Sequence, residues 1–354
     1  SAALSDDRAF AQFGVWRPQV TRRPMGGIWG GVTLERRRPV RVTSLFLKPS
    51  VRNGELVAEC DLINETDAVQ PVHLTTHVVA WPRGGSPELQ LPPVESELAP
   101  GERRTVVLRA PWPEPRLWSP EHPNLYVARC TLRTETGAET LSARFGFREF
   151  WIEGRTFVLN GVPVRLLGES HYRYGRLPAS ADPATGRDFN REMLGVLRQE
   201  LAFNSVRVHA SIGPGTVALG ADEAGVMLVN QSSIWSAMGG HYRRGGRTFL
   251  ARTEKEFAEW VQRDRNSPSV VIWDVENEMI RGGRENLPWV MELDRFVLAH
   301  DDTRPIQHSG AGWYDKNQEI VHLHMQEHYS GIFEKWETSG TRPLVVGEFW
   351  IGGR

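Results

Sequence analysis

Between residues 41 and 149, apolar and polar positions alternate in short runs: RVTSLFLKP, GELVAECDLIN, VHLTTHVVAW, RRTVVLRA, LYVARCTLRT and ETLSARFGF. Such alternation predicts strands buried on one face only. Pro, Gly, Asn and Asp punctuate the runs at the spacing of an antiparallel sandwich, so this stretch reads as an immunoglobulin-like β-sandwich. The rhythm changes from Phe157. FVLNGVPVRLL reads as a hairpin, with Asn160-Gly161 suited to a two-residue turn. After it, the strand-like runs VRLLGES, NSVRVHA, VMLVNQ, SVVIWDV, PIQHSG, IVHLHMQEHY and LVVGEFW alternate with helical stretches such as DFNREMLGVLRQELA, RTEKEFAEWVQRDR and LPWVMELDRFVLAH. Alternating β and α predicts a parallel sheet covered by helices. Seven such units in series favour a (β/α)8 TIM barrel over an open sheet.

Arg354 follows directly on the seventh strand, so the barrel reads as truncated, its eighth strand either beyond the chain or replaced by another segment. At the other end, GGIWGGVTLERR reads as the exit from a preceding β-sandwich. The expected division is residues 1–40 for the end of that β-domain, 41–149 for the immunoglobulin-like sandwich and 150–354 for the incomplete barrel.

Composition narrows the function classes. With 42 basic and 43 acidic residues the formal charge is -1, which offers no field to attract nucleic acid or an anionic membrane. A neutral ligand suits the chain better, and its 13 tryptophans include flat faces of the kind that stack on sugar rings, although most tryptophans fill cores. Cys60 and Cys130, the two cysteines, occupy inward-reading strand positions and are expected to be buried thiols rather than a bridge. Two cysteines exclude a disulfide scaffold or a cysteine-rich zinc module without fixing the redox compartment. There is no run of 18 apolar residues and no signal peptide at Ser1 to Phe10, so no membrane span is expected. The chain does not begin with Met, and localisation and homo-oligomerisation stay open.

In a barrel of this kind the C-terminal ends of the strands face the active-site mouth. Glu278 closes SVVIWDVENE and Glu348 closes LVVGE, each a carboxylate at the end of a run that should be buried. Desolvating a carboxylate costs several kcal/mol, so two converging on one cavity call for a reason. A glycoside can be hydrolysed by such a pair, one carboxyl protonating the leaving oxygen while the other attacks the anomeric carbon or activates water. Mutual repulsion is expected to raise one of the two pKa values. The plainer alternative is that each only pairs with an arginine at the rim.

The stretch VQRDRNSPSVVIWDVENE closely resembles the acid/base signature of glycoside hydrolase family 2, and RPLVVGEFW resembles the same family's nucleophile strand. GGIWGGVTLER, LWSPEHPNLY and FVLNGVPVRLLG resemble that family's first-domain exit, its immunoglobulin-like domain and its barrel-opening hairpin. The resemblance implies a retaining β-glycosidase with Glu278 as acid/base, Glu348 as nucleophile and Asn277 holding the sugar 2-hydroxyl. It carries over Arg207 as a brace for the nucleophile, His209 as a sugar contact and Tyr329 as a phenol against Glu348. Two departures leave the sugar open. The second strand reads Arg207-Val208-His209-Ala210, with its histidine one residue early, and the third reads VNQSSIW where the family ends near Asp-Glu. GESHY and the ENE triplet also resemble family 35 galactosidases.

Further candidates follow from strand ends. Glu169, His171, His308 and Trp350 are expected to touch substrate, and Trp235 and Trp313 are further stacking candidates. Regular alternation would put Asp274, Glu276 and Glu278 on one face, and Arg207 with His209 on another. His322, His324 and His328 raise a metal-dependent hydrolase as an alternative, but the third ligand such a site needs is already engaged, so no metal or cofactor is expected. A catalytically inactive carbohydrate-binding barrel is the remaining alternative.

Overall fold

The structure is a computed structural model and describes residues 34–171, 183–209, 212–235, 239–325 and 330–349. The expected end of a preceding β-domain therefore lies almost wholly outside the described residues. Seven strands build an antiparallel sandwich: β1 (Val40–Ser50), β2 (Glu55–Asn64), β3 (Gln70–Trp81), β4 (Leu89–Leu98), β5 (Arg103–Pro111), β6 (Leu125–Thr134) and β7 (Gly137–Phe145). They form two sheets, ordered β1-β2-β5 and β4-β3-β6-β7. Alternate residues such as Leu45, Leu56, Cys60, Leu74, Val78 and Cys130 meet in the core between them. The two cysteines face each other there as free thiols, with sulfurs 3.5 Å apart.

Strand β4 escapes the sequence pattern because Pro92 and Pro93 interrupt its alternation. Proline has no N–H for a ladder and is tolerated at a sheet edge. That is where β4 lies, and its pairing with β3 slips between Leu74 and Thr76, opposite the two prolines.

A small sheet of β8 (Phe150–Glu153), β9 (Thr156–Leu159) and β10 (Val162–Val164) follows. Asn160 and Gly161 join β9 to β10 with φ of 54° and 85°, the two positive values that a primed hairpin turn needs. The Asn160 side chain fixes the hairpin from below, accepting from the Glu149 N–H and donating to the Trp118 carbonyl.

The second half alternates strand and helix: β11 (Gly168–His171), α1 (Pro183–Leu201), β12 (Ser205–Val208), α2 (Gly215–Ala224), β13 (Met227–Gln231), α3 (Gly239–Asp264), β14 (Val270–Asn277), the short α4 (Met279–Gly282), α5 (Leu287–His300), β15 (Ile306–Ser309), β16 (Val321–Met325), α6 (Ser330–Ser339) and β17 (Leu344–Phe349). These are the seven strands the sequence predicts. The first five form one parallel sheet in sequence order, and β16 pairs in parallel with β17. The architecture is thus an antiparallel β-sandwich followed by a partial parallel TIM-barrel region. One expectation is corrected: no helix separates β15 from β16, because residues 310–320 cross as a loop tied down by the Gly312 N–H on the His322 carbonyl. The helices cover the outer side through Leu194, Val217, Trp260, Val261, Leu293 and Val297, against Trp273 and Val275 of β14.

Sandwich and barrel meet at the Asn266-Ser267-Pro268 loop between α3 and β14. The Asn266 amide accepts from the Leu47 N–H at 2.9 Å and donates to the Leu45 carbonyl at 2.8 Å, so it pairs with the edge of β1 as another strand would. Arg148 and Arg304 collect the carbonyls of Ser267, Pro268 and Val270, and the Trp118 indole donates to the Asp222 carbonyl of α2. Removing one partner of a half-buried hydrogen bond costs about 1–3 kcal/mol. Asn266→Ala is therefore expected to lower the thermal unfolding midpoint measurably without changing the far-UV spectrum; a midpoint equal to the parent's would mean the amide does not tie the two parts together.

Candidate active site

The barrel strands end in polar residues, and four of them converge on one side chain of a fifth. Arg207 on β12 is almost completely buried, a position that a guanidinium occupies only when its donors are used. Its nitrogens reach Ser170 on β11 at 3.1 Å, Gln231 on β13 at 3.1 Å, Asp274 and Asn277 on β14 at 3.3 and 2.6 Å, and Glu348 on β17 at 3.1 Å. One cation thereby ties the first, third, fourth and seventh strands together. Arg207 offers only donors, so the Asn277 atom that faces it is the amide oxygen, and the amide NH2 points away. The Ser170 hydroxyl in turn donates to the Gly347 carbonyl at 2.8 Å, which fastens β17 to β11.

Glu348 and Glu278 meet at a single imidazole. His324, fully buried on β16, holds its Nδ1 at 3.0 Å from Glu278 Oε1 and 3.5 Å from Glu348 Oε2. The two oxygens are therefore no further apart than the sum of those distances, 6.5 Å. A ring nitrogen facing two carboxylate oxygens has to carry the proton, which fixes the tautomer. The other Glu348 oxygen lies 3.1 Å from Arg207 and 3.5 Å from His209 Nδ1, so Arg207 and His209 share a face, as alternation requires. Burial, with Arg207 and His324 nearby, lowers His209 to about 3; it is a neutral ring throughout the physiological range.

Glu278 departs from the sequence-based expectation. The His324 hydrogen bond, reinforced by the charges of Arg281 and Arg207, holds its carboxyl below the usual glutamate range despite partial burial. Repulsion between the two carboxylates is outweighed because a donor sits between them. The sign of a test follows from this. With Glu278 as the acid the sequence leads one to expect, the basic limb of kcat/KM would report it in the free protein, and Arg281, 2.9 Å from Glu278, would depress it. Arg281→Ala is expected to move that limb to higher pH, by up to about one unit; a limb that stays or moves down would contradict the assignment.

Strand β14 also departs from regular alternation. Its register against β15 shifts between Asp274 and Glu276. The bulge at Val275 leaves Asp274 and Asn277 facing Arg207 and turns Glu276 outward, where it faces His308 on β15, whose far side meets Asp294 on α5. The expected common face for Asp274, Glu276 and Glu278 is thereby corrected. So is the expectation for His308: its Nε2 lies 3.1 Å from Asp294 and its ring packs on Tyr314, so it is not part of the Arg207 cluster.

Of the other candidates, Glu169 is exposed and alternates to the opposite face of β11 from Ser170. The His171 side chain, Tyr329, His328 and Trp350 lie outside the described residues. Trp235 comes beside the site through a backbone bridge to Asn277, whereas Trp313 is covered by Lys335 at 4.7 Å from its ring. His322 is spent on structure, its Nδ1 accepting from the Gly310 N–H at 2.9 Å. Gly347 is required opposite it, because a Cβ there would sit 2.0 Å from the His322 ring. Among the described residues no group of three or more His, Cys, Asp or Glu is arranged to hold a metal ion. Ser170, Gln231 and Ser309, which donate to or accept from the Arg207–Asp274 pair, went unremarked in the sequence, although GES, VNQ and HSG place each at the polar end of a strand.

Comparison with known proteins gives the same outline. Residues 40–148 match the family described as Glycosyl hydrolases family 2, and residues 147–351 match Glycosyl hydrolases family 2, TIM barrel domain. A beta-galactosidase of Priestia megaterium is 27% identical over 307 residues, which are 81% of this chain and 28% of that protein. The fold is shared with Bacteroides uniformis beta-glucuronidase at a TM-score of 0.71 and 22% identity, over 88% of this chain and 40% of that one. It is also shared with a GH2 beta-galacturonidase from Eisenbergiella tayi bound to galacturonate, at a TM-score of 0.74 and 19% identity, over 90% and 59% of the two chains. This chain thus spans less than two thirds of the length of each.

Proposed function

Since the chain belongs to glycoside hydrolase family 2, whose members are retaining hydrolases, we propose that it carries the catalytic pair of a retaining glycosidase acting on terminal β-linked sugars. The observation that carries the reading is the meeting of Glu278 and Glu348 at one His324 nitrogen, with at most 6.5 Å between the facing oxygens. Retaining enzymes need about 5–5.5 Å between carboxyl groups, so that one attacks the anomeric carbon directly.

In the first step the Glu348 carboxylate bonds to the anomeric carbon while the proton of Glu278 passes to the departing oxygen. In the second, Glu278 takes a proton from water, the hydroxide oxygen bonds to the same carbon, and Glu348 leaves as a carboxylate. Arg207, 3.1 Å from Glu348, keeps its carboxyl aimed, and His209, neutral beside it, contributes shape and a donor without a charge. The NH2 of Asn277, turned away from Arg207, is available to a sugar 2-hydroxyl. Glu278 begins ionised in the empty site, so it takes up its proton as substrate enters and separates it from His324 and water. Transfer of the sugar to Glu348 then removes a negative charge from its neighbourhood and favours the base form for the second step.

The relatives named above act on galactosides, glucuronides and galacturonides, and a dozen nitrophenyl β-glycosides spanning neutral and uronic sugars test the proposal. Turnover of at least one that is insensitive to chelator supports it. Binding without turnover on any sugar would instead favour an inactive carbohydrate-binding barrel. Activity lost on chelation would favour a metal-dependent hydrolase, a reading disfavoured because His322 Nδ1 accepts from the Gly310 N–H, which leaves the ring proton on Nε2, and because no group of three or more candidate ligands is gathered among the described residues.

A further inference from the structure

We infer that Glu276 is a positioning residue for Glu278: its carboxyl, seated beside His308 behind the sheet, holds the backbone turn that brings the acid/base into the cavity. The inference rests on the reading of Glu278 as acid/base.

The turn needs holding. Glu278 has φ 58° and ψ 13°, a left-handed conformation that a residue with a Cβ adopts only where its surroundings enforce it. Three backbone bonds contribute: Asn277 N–H to the Ile234 carbonyl, Glu278 N–H to the Ser309 carbonyl and Gly282 N–H to the Glu278 carbonyl, at 2.8, 2.8 and 2.7 Å. The donor immediately after Glu278, the Met279 N–H, goes to Glu276 Oε2. Without the bulge at Val275, Glu276 would face the barrel interior and could not reach around the turn.

The surroundings of Glu276 are unusual for a side chain that only caps a helix of four residues. It is completely buried, as are His308 and, nearly so, Asp294. Among the described residues Glu276 Oε1 and His308 Nδ1 have no hydrogen-bond partner, and they lie 3.7 Å apart, while His308 Nε2 meets Asp294 at 3.1 Å. Carboxyl, imidazole and carboxyl thus stand in a line from β14 through β15 to α5, with Tyr314 packed edge-on against the imidazole and Asp274 on the other side of the strand. Burial raises Glu276 to about 8 against the pull of His308 and the Met279 N–H. For His308, burial opposes the charge, but Asp294, Glu276 and Asp274 outweigh it and raise the ring to about 9. Glu276 touches neither the cavity nor the reacting atoms. It acts on the chemistry only through the position of Glu278. Apolar groups of the same volume would pack such a place at less cost.

The test is Glu276→Met, which keeps the volume and removes the acceptor, beside Glu276→Gln, which keeps an oxygen for the Met279 N–H. In aryl glycosides with poor leaving groups, Glu276→Met is expected to lower kcat roughly 10- to 100-fold with little change in KM, the range for a reacting group displaced by about 1 Å. For dinitrophenyl glycosides kcat/KM, which reports the first step alone, should fall under about threefold, since that step needs no acid there, and Glu276→Gln should restore most of the loss. Equal losses for both leaving groups, or no loss, would overturn the inference. Glu278→Ala measured in parallel separates the two readings: if it shows the leaving-group contrast and Glu276→Met does not, only the positioning role falls. Glu276→Asp, one methylene short of Met279, serves if the Met variant does not fold. A crystal structure gives a reading that needs no turnover. Glu278 should leave the left-handed region and its 3.0 Å contact with His324 in Glu276→Met; a Glu278 that stays in place would contradict the inference.

Discussion

Replacing Glu348 by alanine is expected to lower kcat on aryl β-glycosides by on the order of 10⁴- to 10⁶-fold, the cost of deleting a nucleophile that acts as part of a unit. The fold should survive the change, because Arg207 keeps Asp274, Asn277, Gln231 and Ser170 as partners. The truncated side chain leaves a hole beside the anomeric carbon, and azide, a small anion, is expected to enter it and react once. A single displacement inverts the centre, so the rescued product is the α-glycosyl azide. Residual activity within about tenfold of the parent's, or an azide product of β configuration, would remove Glu348 from the nucleophile role.

Glu278→Ala is expected to act selectively. General-acid assistance contributes about 10²- to 10⁴-fold, and the loss should fall on substrates whose leaving group needs a proton. Methylumbelliferyl and alkyl glycosides should suffer it in full, whereas the first step on dinitrophenyl glycosides should be nearly unchanged. The basic limb of the kcat/KM profile should also vanish, since it reports this group. Equal losses across leaving groups would return Glu278 to the status of an ion-pair partner for Arg281 and His324.

Much of this was legible in the chain. The order of seven parallel strands follows from apolar runs of strand length separated by amphipathic stretches, and α5 coincides with LPWVMELDRFVLAH because its apolar face is unbroken and Pro288 starts it. Both carboxylates could be found because each ends an apolar run; the run before Glu278 is buried throughout, whereas Leu344 and Val345 ahead of Glu348 are half-buried and Val346 is exposed. What escaped did so for local reasons. Strand β4 carries two prolines that its edge position tolerates. The missing helix between β15 and β16 left no trace, since a run of turn residues and a short helix look alike at that length. The bulge at Val275 is a matter of register, and register is set by the neighbouring strand rather than by the sequence of β14. That single extra residue moved Glu276 to the outer layer, and His308, its partner across the ladder, lies there too. The part played by His324 was hidden in a different way: His-x-His names two inward rings without saying that one serves the backbone of Gly310 and the other stands between two carboxylates.

The central claim is that Glu278 and Glu348 work across one sugar by two successive displacements. The anomeric configuration of the first sugar released, read by proton NMR within the first turnovers and before mutarotation, tests it most directly. The account predicts that the β-anomer appears first and the α-anomer only later, at the rate of spontaneous equilibration. Initial release of the α-anomer would mean a single displacement by water, and the pairing of these two carboxylates as nucleophile and acid would be wrong.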